Sequence, residues 1–424
     1  MSPSISSAVV TALTLFHCTL ALPAVGSSED LATHPGPAIG STATSGEDFS
    51  VKQTRNTRFS SDGSRALASV YRRFDVKMPE NLAAAVDRLE KRDSRFTSIW
   101  GIEDKAFLVR VMLSRFQQPF KFVFDLTSAG VWALSKKGAQ DQRYIKHLPE
   151  YSTSAAKMEG YYWAGKNLNG KFAFGDVYQD EVSIGTIDPV LASKRQAIQL
   201  VDTISQFDYT EEVAGIIGMA FSSRNLIRPE PQLNFFDNVV ESLDEKVFTV
   251  DMKHGELGTL EFNTINTERY IGDIGYSDVL NEKGLWNFTI GGLISDTAPL
   301  TSRTEYAMAD TVSSLILLPM QYNTAYYKQV PGCKYLEEHA LFIFPCDSTL
   351  PDFTFEVGDV PITIPGNYLT YSALDDEPDF CFGVLQPSNE LGFNVLGTTA
   401  FKSAFVVFDP VSPKIGWAKK PLSI

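Results

Sequence analysis

The sequence has few of the residues on which metal centres and common nucleophiles depend. Its 5 histidines, at positions 17, 34, 147, 254 and 339, show no ligand spacing, so we expect no metal site. It has neither a Gly-x-Ser-x-Gly nucleophile motif nor a phosphate-binding glycine loop. Only 4 cysteines are present. These absences count against serine-nucleophile hydrolases, nucleotide-binding enzymes and metalloenzymes, and we expect no cofactor.

Positive charge is also scarce. The chain has 37 Lys and Arg residues against 51 Asp and Glu residues, a net charge of −14 and a pI near 4.9. This balance argues against nucleic acid as a partner. After the N-terminus no stretch is long and apolar enough to span a bilayer, so no membrane is expected as a partner. With 44% hydrophobic residues in 424, the chain can form two cores.

The N-terminus has the features of a secretory signal. Residues 1–24 contain no charged side chain, and Ala8–Phe16 is apolar. Small residues such as Ala21 and Ala24 suit cleavage, so residues 1–24 are predicted to be a signal peptide. The apolar run is too short for a membrane anchor. We therefore expect a secreted, extracellular protein.

Residues 25–92 differ in charge from the chain that follows. They contain 10 Lys and Arg against 9 Asp and Glu, which leaves 27 against 42, or −15, for residues 93–424. Residues 25–50 are rich in small and polar residues, and Ala66–Phe74 and Asn81–Glu90 have helical character. The segment ends in the dibasic pair Lys91-Arg92. A cation-bearing segment before an acidic body predicts a removable propeptide that docks by electrostatics.

One pattern occurs twice in the remainder of the chain. The apolar run Lys121–Asp125 ends in an aspartate, and Asp310 follows a similar run. A serine stands three residues after each aspartate, at Ser128 and Ser313. Two apolar residues and a glycine, ending at positions 218 and 397, follow at separations of 93 and 87 residues. Such a long repeat predicts two similar halves rather than a solenoid.

The two aspartates suggest acid–base chemistry. A pseudo-two-fold axis would bring Asp125 and Asp310 face to face, and carboxylates about 3 Å apart cannot both ionise easily. They would share one proton, so that one acts as a base and the other as an acid.

These motifs resemble those of the pepsin-like aspartic proteases, most closely the secreted fungal aspergillopepsin type. The resemblance extends from the propeptide to the C-terminus. It is carried by Phe124-Asp125 with Trp132, Gly215–Ser223, Asp310-Thr311, Lys402–Asp409 and Ile415–Ala418.

The resemblance implies an all-β, bilobal pepsin-like fold with a central cleft, with lobes at 93–275 and 276–424. It implies catalytic roles for Asp125 and Asp310, a peptide or protein in the cleft, and a monomer. The pattern of strands and turns agrees with this class. Helical spacing appears only near Phe235–Leu243 and Tyr322–Val330, at positions that match helices of the family.

The resemblance also implies a disulfide between Cys346 and Cys381. Because Cys18 is lost with the signal peptide, Cys333 is the odd cysteine. It can be a free thiol, an intermolecular partner or simply a buried residue. Asn287-Phe288-Thr289 is a glycosylation sequon that overlaps a predicted strand.

Several positions depart from the family pattern. The glycine two residues after each aspartate is replaced, by Thr127 in the first loop and Val312 in the second. A β-branched residue is expected to fit poorly in a strained turn. Thr311 is retained, but Leu126 replaces its partner across the lobes. Ser128 and Ser313, which the resemblance implies hold the outer carboxylate oxygens, are also retained.

The flap differs as well. A gapless match of Tyr161–Asp180 to the family's flap hairpin places Asn167 where the tyrosine that covers the substrate is expected. Asparagine is smaller and cannot reproduce an aromatic lid.

Three functions are consistent with these changes. The first is an aspartic endopeptidase with atypical loops and low activity. The second is a repurposed enzyme that uses the two carboxylates on a small fungal metabolite. The third is a catalytically silent pseudoprotease that binds peptides. Proteolysis at acid pH, with and without pepstatin, separates the first from the others, and metabolite turnover by D125N separates the second from the third.

Overall fold

The structure is a computed structural model that describes residues 48–52, 62–92, 107–114, 119–138, 144–166, 172–185, 191–204, 213–280, 283–296, 298–374 and 377–422. The predicted signal peptide, the predicted start of the mature chain at Asp93 and the flap position Asn167 lie outside these residues. Within them, no helix is long and apolar enough to cross a membrane.

The predicted propeptide contributes one strand and two helices. The two helices agree with the predicted spacing, and Asp62 caps the first by accepting a hydrogen bond from the Arg65 backbone N–H at 2.9 Å. Apolar side chains of both helices, such as Val70 and Val86, share a buried cluster with C-terminal residues that include Leu317. Helices α1 and α2 of the predicted propeptide therefore pack as part of the core. Its elements are β1 (Phe49–Lys52), α1 (Gly63–Arg73) and α2 (Glu80–Arg92).

The next part of the chain is built mainly from strands. They are β2 (Leu108–Leu113), β3 (Phe120–Asp125), β4 (Val131–Leu134), β5 (Ala156–Lys166), β6 (Phe172–Ile184), β7 (Leu191–Val201), β8 (Thr203–Ile204), β9 (Val213–Gly218) and β10 (Ile227–Arg228), then helix α3 (Phe235–Val239), β11 (Phe248–Asp251) and β12 (Thr259–Phe262). Strands β2 to β10 form one sheet in the order β10-β5-β6-β2-β3-β9-β4-β7, with β8 paired to β6.

The C-terminal part repeats this strand-rich character. Its elements are β13 (Ile271–Asp278), β14 (Asn287–Ile290), β15 (Leu293–Ser295), β16 (Ala298–Thr301), β17 (Glu305–Ala309), β18 (Ile316–Leu318), α4 (Met320–Tyr327), β19 (Lys334–Leu336), β20 (Leu341–Pro345), β21 (Phe353–Val357), β22 (Val360–Ile364), β23 (Thr370–Ala373), β24 (Phe380–Gly383), β25 (Leu385–Pro387), β26 (Asn394–Leu396), α5 (Thr398–Lys402), β27 (Ala404–Asp409) and β28 (Lys414–Lys419). Three sheets result, ordered β14-β17-β26-β18-β25, β16-β15-β21-β22 and β19-β20-β24-β23.

A further sheet joins distant parts of the chain. Its order is β1-β12-β11-β27-β28-β13, so it combines β1, from the predicted propeptide, with strands from both halves. Phe248 of β11 stacks on Phe408 of β27 with ring centroids 4.7 Å apart. Strand β13 crosses the boundary between residues 275 and 276 that was predicted for the lobes.

The sequence repeat corresponds to a repeated strand arrangement. In the first half β3 runs parallel to β9, and β9 runs antiparallel to β4. In the second half β17 runs parallel to β26, and β26 runs antiparallel to β18. The predicted all-β, bilobal fold is confirmed, and each aspartate lies at the end of the equivalent strand, β3 or β17.

Candidate active site

Each half presents its aspartate from the same local structure. Asp125 ends β3, Asp310 directly follows β17, and both are 0% exposed. The glycines of the repeat permit close backbone approach. A Cβ atom on Gly218 would lie 2.3 Å from the Ser128 carbonyl oxygen, and one on Gly397 would lie 2.3 Å from that of Leu315. Any side chain at either glycine would therefore push an aspartate loop out of place.

Thr311 connects the two aspartate loops. Its hydroxyl donates to the Phe124 carbonyl oxygen at 2.8 Å and accepts a hydrogen bond from the Leu126 backbone N–H at 3.2 Å. Both bonds cross from one half to the other, so the two loops are in direct contact. The Leu126 side chain is fully buried in the main apolar cluster and has no hydroxyl to make the equivalent bonds in return.

The first loop holds its carboxylate through Thr127. The Thr127 backbone N–H and side-chain hydroxyl both donate to Asp125 Oδ1 at 2.7 Å. Among the described residues, Asp125 Oδ2 and the buried Ser128 hydroxyl have no hydrogen-bond partner. This differs from the expected role of Ser128. Thr127, which replaces the glycine, brings its own hydroxyl next to the Asp125 carboxylate. Sequence reasoning missed this contact, although the presence of a threonine at position 127 could have indicated it.

The second loop holds its carboxylate through the backbone. The N–H groups of Val312 and Ser313 donate to Asp310 Oδ1 at 2.9 and 3.3 Å. The expected strain at the replaced glycines is not observed. Neither Thr127 nor Val312 is among the residues with a positive φ, so ordinary L-residues fit both turns. Because the loss of both glycines leaves these N–H bonds in place, the carboxylates remain held.

An arginine of the predicted propeptide contacts the second aspartate. Arg73, the last residue of α1, pairs through Nη2 with Asp310 Oδ2, and the two side chains are 7% and 0% exposed. Burial raises the pKa of Asp310, the Arg73 charge acts in the opposite direction, and the Asp125 charge raises this pKa further. The sequence predicted a docked cationic segment, but its charge count did not identify Arg73 as the contact.

A cavity of about 230 Å³ lies on the Asp125 side of the site. Its lining includes Trp132, Trp163 and Arg224. The Arg224 guanidinium donates from Nε to the Thr127 carbonyl oxygen and from Nη1 to that of Lys283, both at 3.1 Å. Burial lowers the pKa of Arg224, and the Asp125 charge acts in the opposite direction. Sequence reasoning did not single out this arginine.

The sequence also singled out three cysteines and one asparagine. Cys346 and Cys381 form a disulfide with their Cα atoms 4.9 Å apart. Cys333 is a half-buried free thiol whose pKa is raised by burial to about 12, which suits an unreactive residue. Asn287 begins β14, opposite Met308 of β17. In the described part of the chain, no three His, Cys, Asp or Glu residues cluster as metal ligands would.

Comparison with known proteins identifies related enzymes. Residues 106–420 match the family model described as eukaryotic aspartyl protease. Endothiapepsin of Cryphonectria parasitica is 33% identical over 383 residues, which cover 88% of this chain and 90% of that protein. Podosporapepsin of Podospora anserina is 31% identical over 405 residues, covering 91% and 94%. Aspergillopepsin-1 of Aspergillus oryzae is 32% identical over 354 residues, covering 83% and 87%.

Proposed function

Since the chain belongs to the eukaryotic aspartyl protease family, we propose that it is a secreted, monomeric aspartic endopeptidase synthesised as an inactive precursor. Asp125 and Asp310 form the catalytic pair in this proposal. Its main support is the pair of fully buried carboxyl groups, one from each half, whose loops are joined through Thr311. A peptide or protein substrate would lie in the cleft above them.

The two carboxyl groups differ in a way that suits one as the acid and the other as the base. The raised pKa of Asp310 favours its protonated form, and the unpartnered, buried Oδ2 of Asp125 is suited to act as the base. Asp125 takes a proton from a water molecule as its oxygen attacks the peptide carbonyl carbon. Asp310 donates a proton to the carbonyl oxygen. The tetrahedral intermediate collapses when Asp125 gives its proton to the amide nitrogen and Asp310 takes a proton back from a hydroxyl of the intermediate. The C–N bond then breaks, which yields a carboxyl and an amine terminus and restores both carboxyl groups.

The propeptide contacts support a precursor that is inactive at neutral pH. Arg73 neutralises Asp310 and occupies the position next to the dyad. Asp75, two residues further, pairs with Lys166 at the end of β5. We infer that residues 25–92 are removed after secretion, with a cut after the dibasic Lys91-Arg92. Residues 1–24 would leave earlier as the signal peptide.

The mature enzyme is expected to have low activity. Thr311 makes its inter-lobe hydrogen bonds alone, because Leu126 offers no hydroxyl in return. The replacement of the flap tyrosine by Asn167 removes an aromatic cover from the substrate. Each change weakens the positioning of groups in the transition state, for which a misplacement of about 1 Å can cost about 10²-fold in rate.

Hydrolysis of a denatured protein by the acid-treated full chain tests this function. We expect slow cleavage at acid pH that pepstatin blocks and that D125N and D310N abolish. The control is D244N, which changes an exposed aspartate that lines no part of the cavity. A folded wild-type chain that cleaves nothing would overturn the proposal. Peptide binding without cleavage would then favour the pseudoprotease, and metabolite turnover that D125N abolishes would favour the repurposed enzyme.

A further inference from the structure

We propose that the mature cleft selects peptides with an acidic side chain, and that Arg224 recognises this side chain in the cavity beside Asp125. Arg224 is then a specificity-determining residue rather than a catalytic one. This inference rests on the proposed function, because it assigns a substrate class to the same cleft.

The position of Arg224 is the first observation. Arg224 ends the short 3-10 turn Ser222–Arg224 that follows β9, and its half-buried side chain lines the cavity. A guanidinium has five N–H donors. Among the described residues, the hydrogen bonds of this side chain are those from Nε and Nη1 to two carbonyl oxygens, which fix its orientation. As far as the described residues go, three N–H groups are left for a ligand in the cavity, where Trp132 and Trp163 can hold the apolar part of a side chain.

The charge of the cavity is the second observation. The lining residues include three cationic side chains, Arg73, Lys166 and Arg224, and one carboxylate, Asp125. When the propeptide leaves, Arg73 leaves with it. Lys166 and Arg224 then remain as the two cations of the cavity. The single carboxylate beside them, Asp125, already has its catalytic role in the proposed pair. A partly buried cation is costly without a counter-charge, so the empty cavity favours an anionic ligand.

The bound propeptide provides the third observation. Its Asp75 forms an ion pair with Lys166, which lines the same cavity. Asp75 is itself 82% exposed, so this contact pairs one of the two cations with a carboxylate at the protein surface. Lys166 is 31% exposed, so its contribution is screened by solvent. Arg224 is more enclosed and can bind a carboxylate through two parallel N–H bonds, which makes it the stronger selector.

Matched peptides test this specificity. Pairs that differ only by Glu or Gln, placed in turn at each of the four positions on either side of the cleaved bond, are given to the acid-treated full chain. At pH 5.5 we expect the kcat/KM of the better Glu peptide to exceed that of its Gln partner at least about tenfold. The ratio should fall as the pH drops below about 4.3, because glutamate becomes protonated.

Substitutions at Arg224 locate the cause. R224L and R224Q should each reduce the Glu/Gln ratio to within about threefold, and R224K should retain an intermediate ratio because it keeps the charge but not the fork of donors. R224Q preserves hydrogen-bond donors, so it covers the case in which R224L does not fold. The control R195L removes an exposed arginine of β7 that does not line the cavity, and its ratio should equal that of the wild type.

A binding measurement separates this inference from the proposed function. The same peptide pairs, made with a reduced and uncleavable amide bond, are titrated into the acid-treated chain by calorimetry. Tighter binding of the Glu peptide that R224Q abolishes supports the inference even if nothing is cleaved. Equal Glu and Gln values for the wild type at every position overturn it. A Glu preference that persists in both R224L and R224Q also overturns the role of Arg224.

Discussion

At the scale of single residues, hydrogen bonds that cross between the halves join the two aspartate loops. The hydroxyl of Thr311 makes two of them, one to the Phe124 carbonyl oxygen and one from the Leu126 N–H. The variant T311V lacks this hydroxyl, so a buried N–H and a buried carbonyl lose these partners. The free energy of unfolding should fall by about 1–3 kcal/mol. We expect urea unfolding of the full chain to show this loss.

The matched control is T311S, which keeps the hydroxyl and should recover most of the stability. If T311V unfolds at the same urea concentration as the wild type, the bridge does not hold the halves together.

The sequence identified the aspartates better than their surroundings. Asp125 and Asp310 could be identified because each follows an apolar run, and this pattern occurs twice. Such a run indicates where a strand ends, since strand ends depend largely on local sequence. The partnership between Thr127 and Asp125 was not found, because it depends on the direction of a hydroxyl within a turn. The Arg73 contact depends on how a helix of the propeptide packs against residues more than 200 positions away.

At the scale of elements, helix α1 carries Arg73 onto Asp310, so we propose that it blocks the aspartate pair until the propeptide leaves. The Arg73 charge lowers the pKa of Asp310 while the propeptide is bound, so the bound state holds fewer protons than the released state. Attachment is therefore strongest above the pKa of Asp310 and weakens as the pH falls through it. Acid pH should release the propeptide.

Removal of this ion pair should make release less dependent on acid. In R73M, residues 25–92 should be lost at pH 6, where the wild-type propeptide remains attached, and intact mass spectrometry can follow the cut. K77M, which removes an exposed lysine after α1, serves as the control and should behave as the wild type does. Identical pH dependence of R73M and the wild type would contradict the assigned role of Arg73.

The disulfide stabilises a second element, the β20–β24 pair. Cys346 and Cys381 are separated by 35 residues, and closing a loop of this length restricts the unfolded chain by about 3–4 kcal/mol. The double change C346S/C381S should lower the free energy of unfolding by about 2–4 kcal/mol. C333S, at the free thiol, is the control and should have a much smaller effect. Equal urea midpoints for all three proteins would show that the disulfide is not needed.

At the scale of the whole molecule, the six-stranded sheet β1-β12-β11-β27-β28-β13 joins the halves. A buried ion pair reinforces it, because Lys420 Nζ donates to Asp251 Oδ1 at 2.9 Å and to the Phe401 carbonyl oxygen at 3.1 Å. Lys420 is 3% exposed, and burial lowers its pKa to about 8. Without Lys420, Asp251 loses its closest cation and keeps only the partly exposed Arg269, whose Nη1 lies 3.7 Å from Asp251 Oδ2.

The change K420M should therefore lower the stability of the full chain by about 1–3 kcal/mol. Its neighbour Lys419 is exposed, so K419M is a matched control and should change stability by less than about 0.5 kcal/mol. Thermal and urea unfolding of both variants would check this. A K420M protein as stable as K419M would show that the pair contributes little.

The overall fold could be predicted further than the site. The many short strands and the repeat indicated two β-rich halves. The structure has helices where helical spacing was predicted, near Phe235 and near Tyr322. The composition of the joining sheet was not predicted, since strands from the propeptide, the middle and the C-terminus meet there through long-range pairing. Arg224 could not be predicted for a similar reason. A single arginine in a turn forms no sequence pattern, and only the fold shows that it lies beside Asp125.

The pH dependence of kcat/KM on a denatured protein tests the central claim most directly. A pair of carboxyl groups that share a proton requires a bell-shaped profile. The rate should fall on the alkaline side as Asp310 loses its proton, above the usual carboxyl range because burial raises this pKa. D310N should be inactive at every pH. A rate that rises steadily towards neutral pH, or a D310N variant as fast as the wild type, would contradict the proposed dyad.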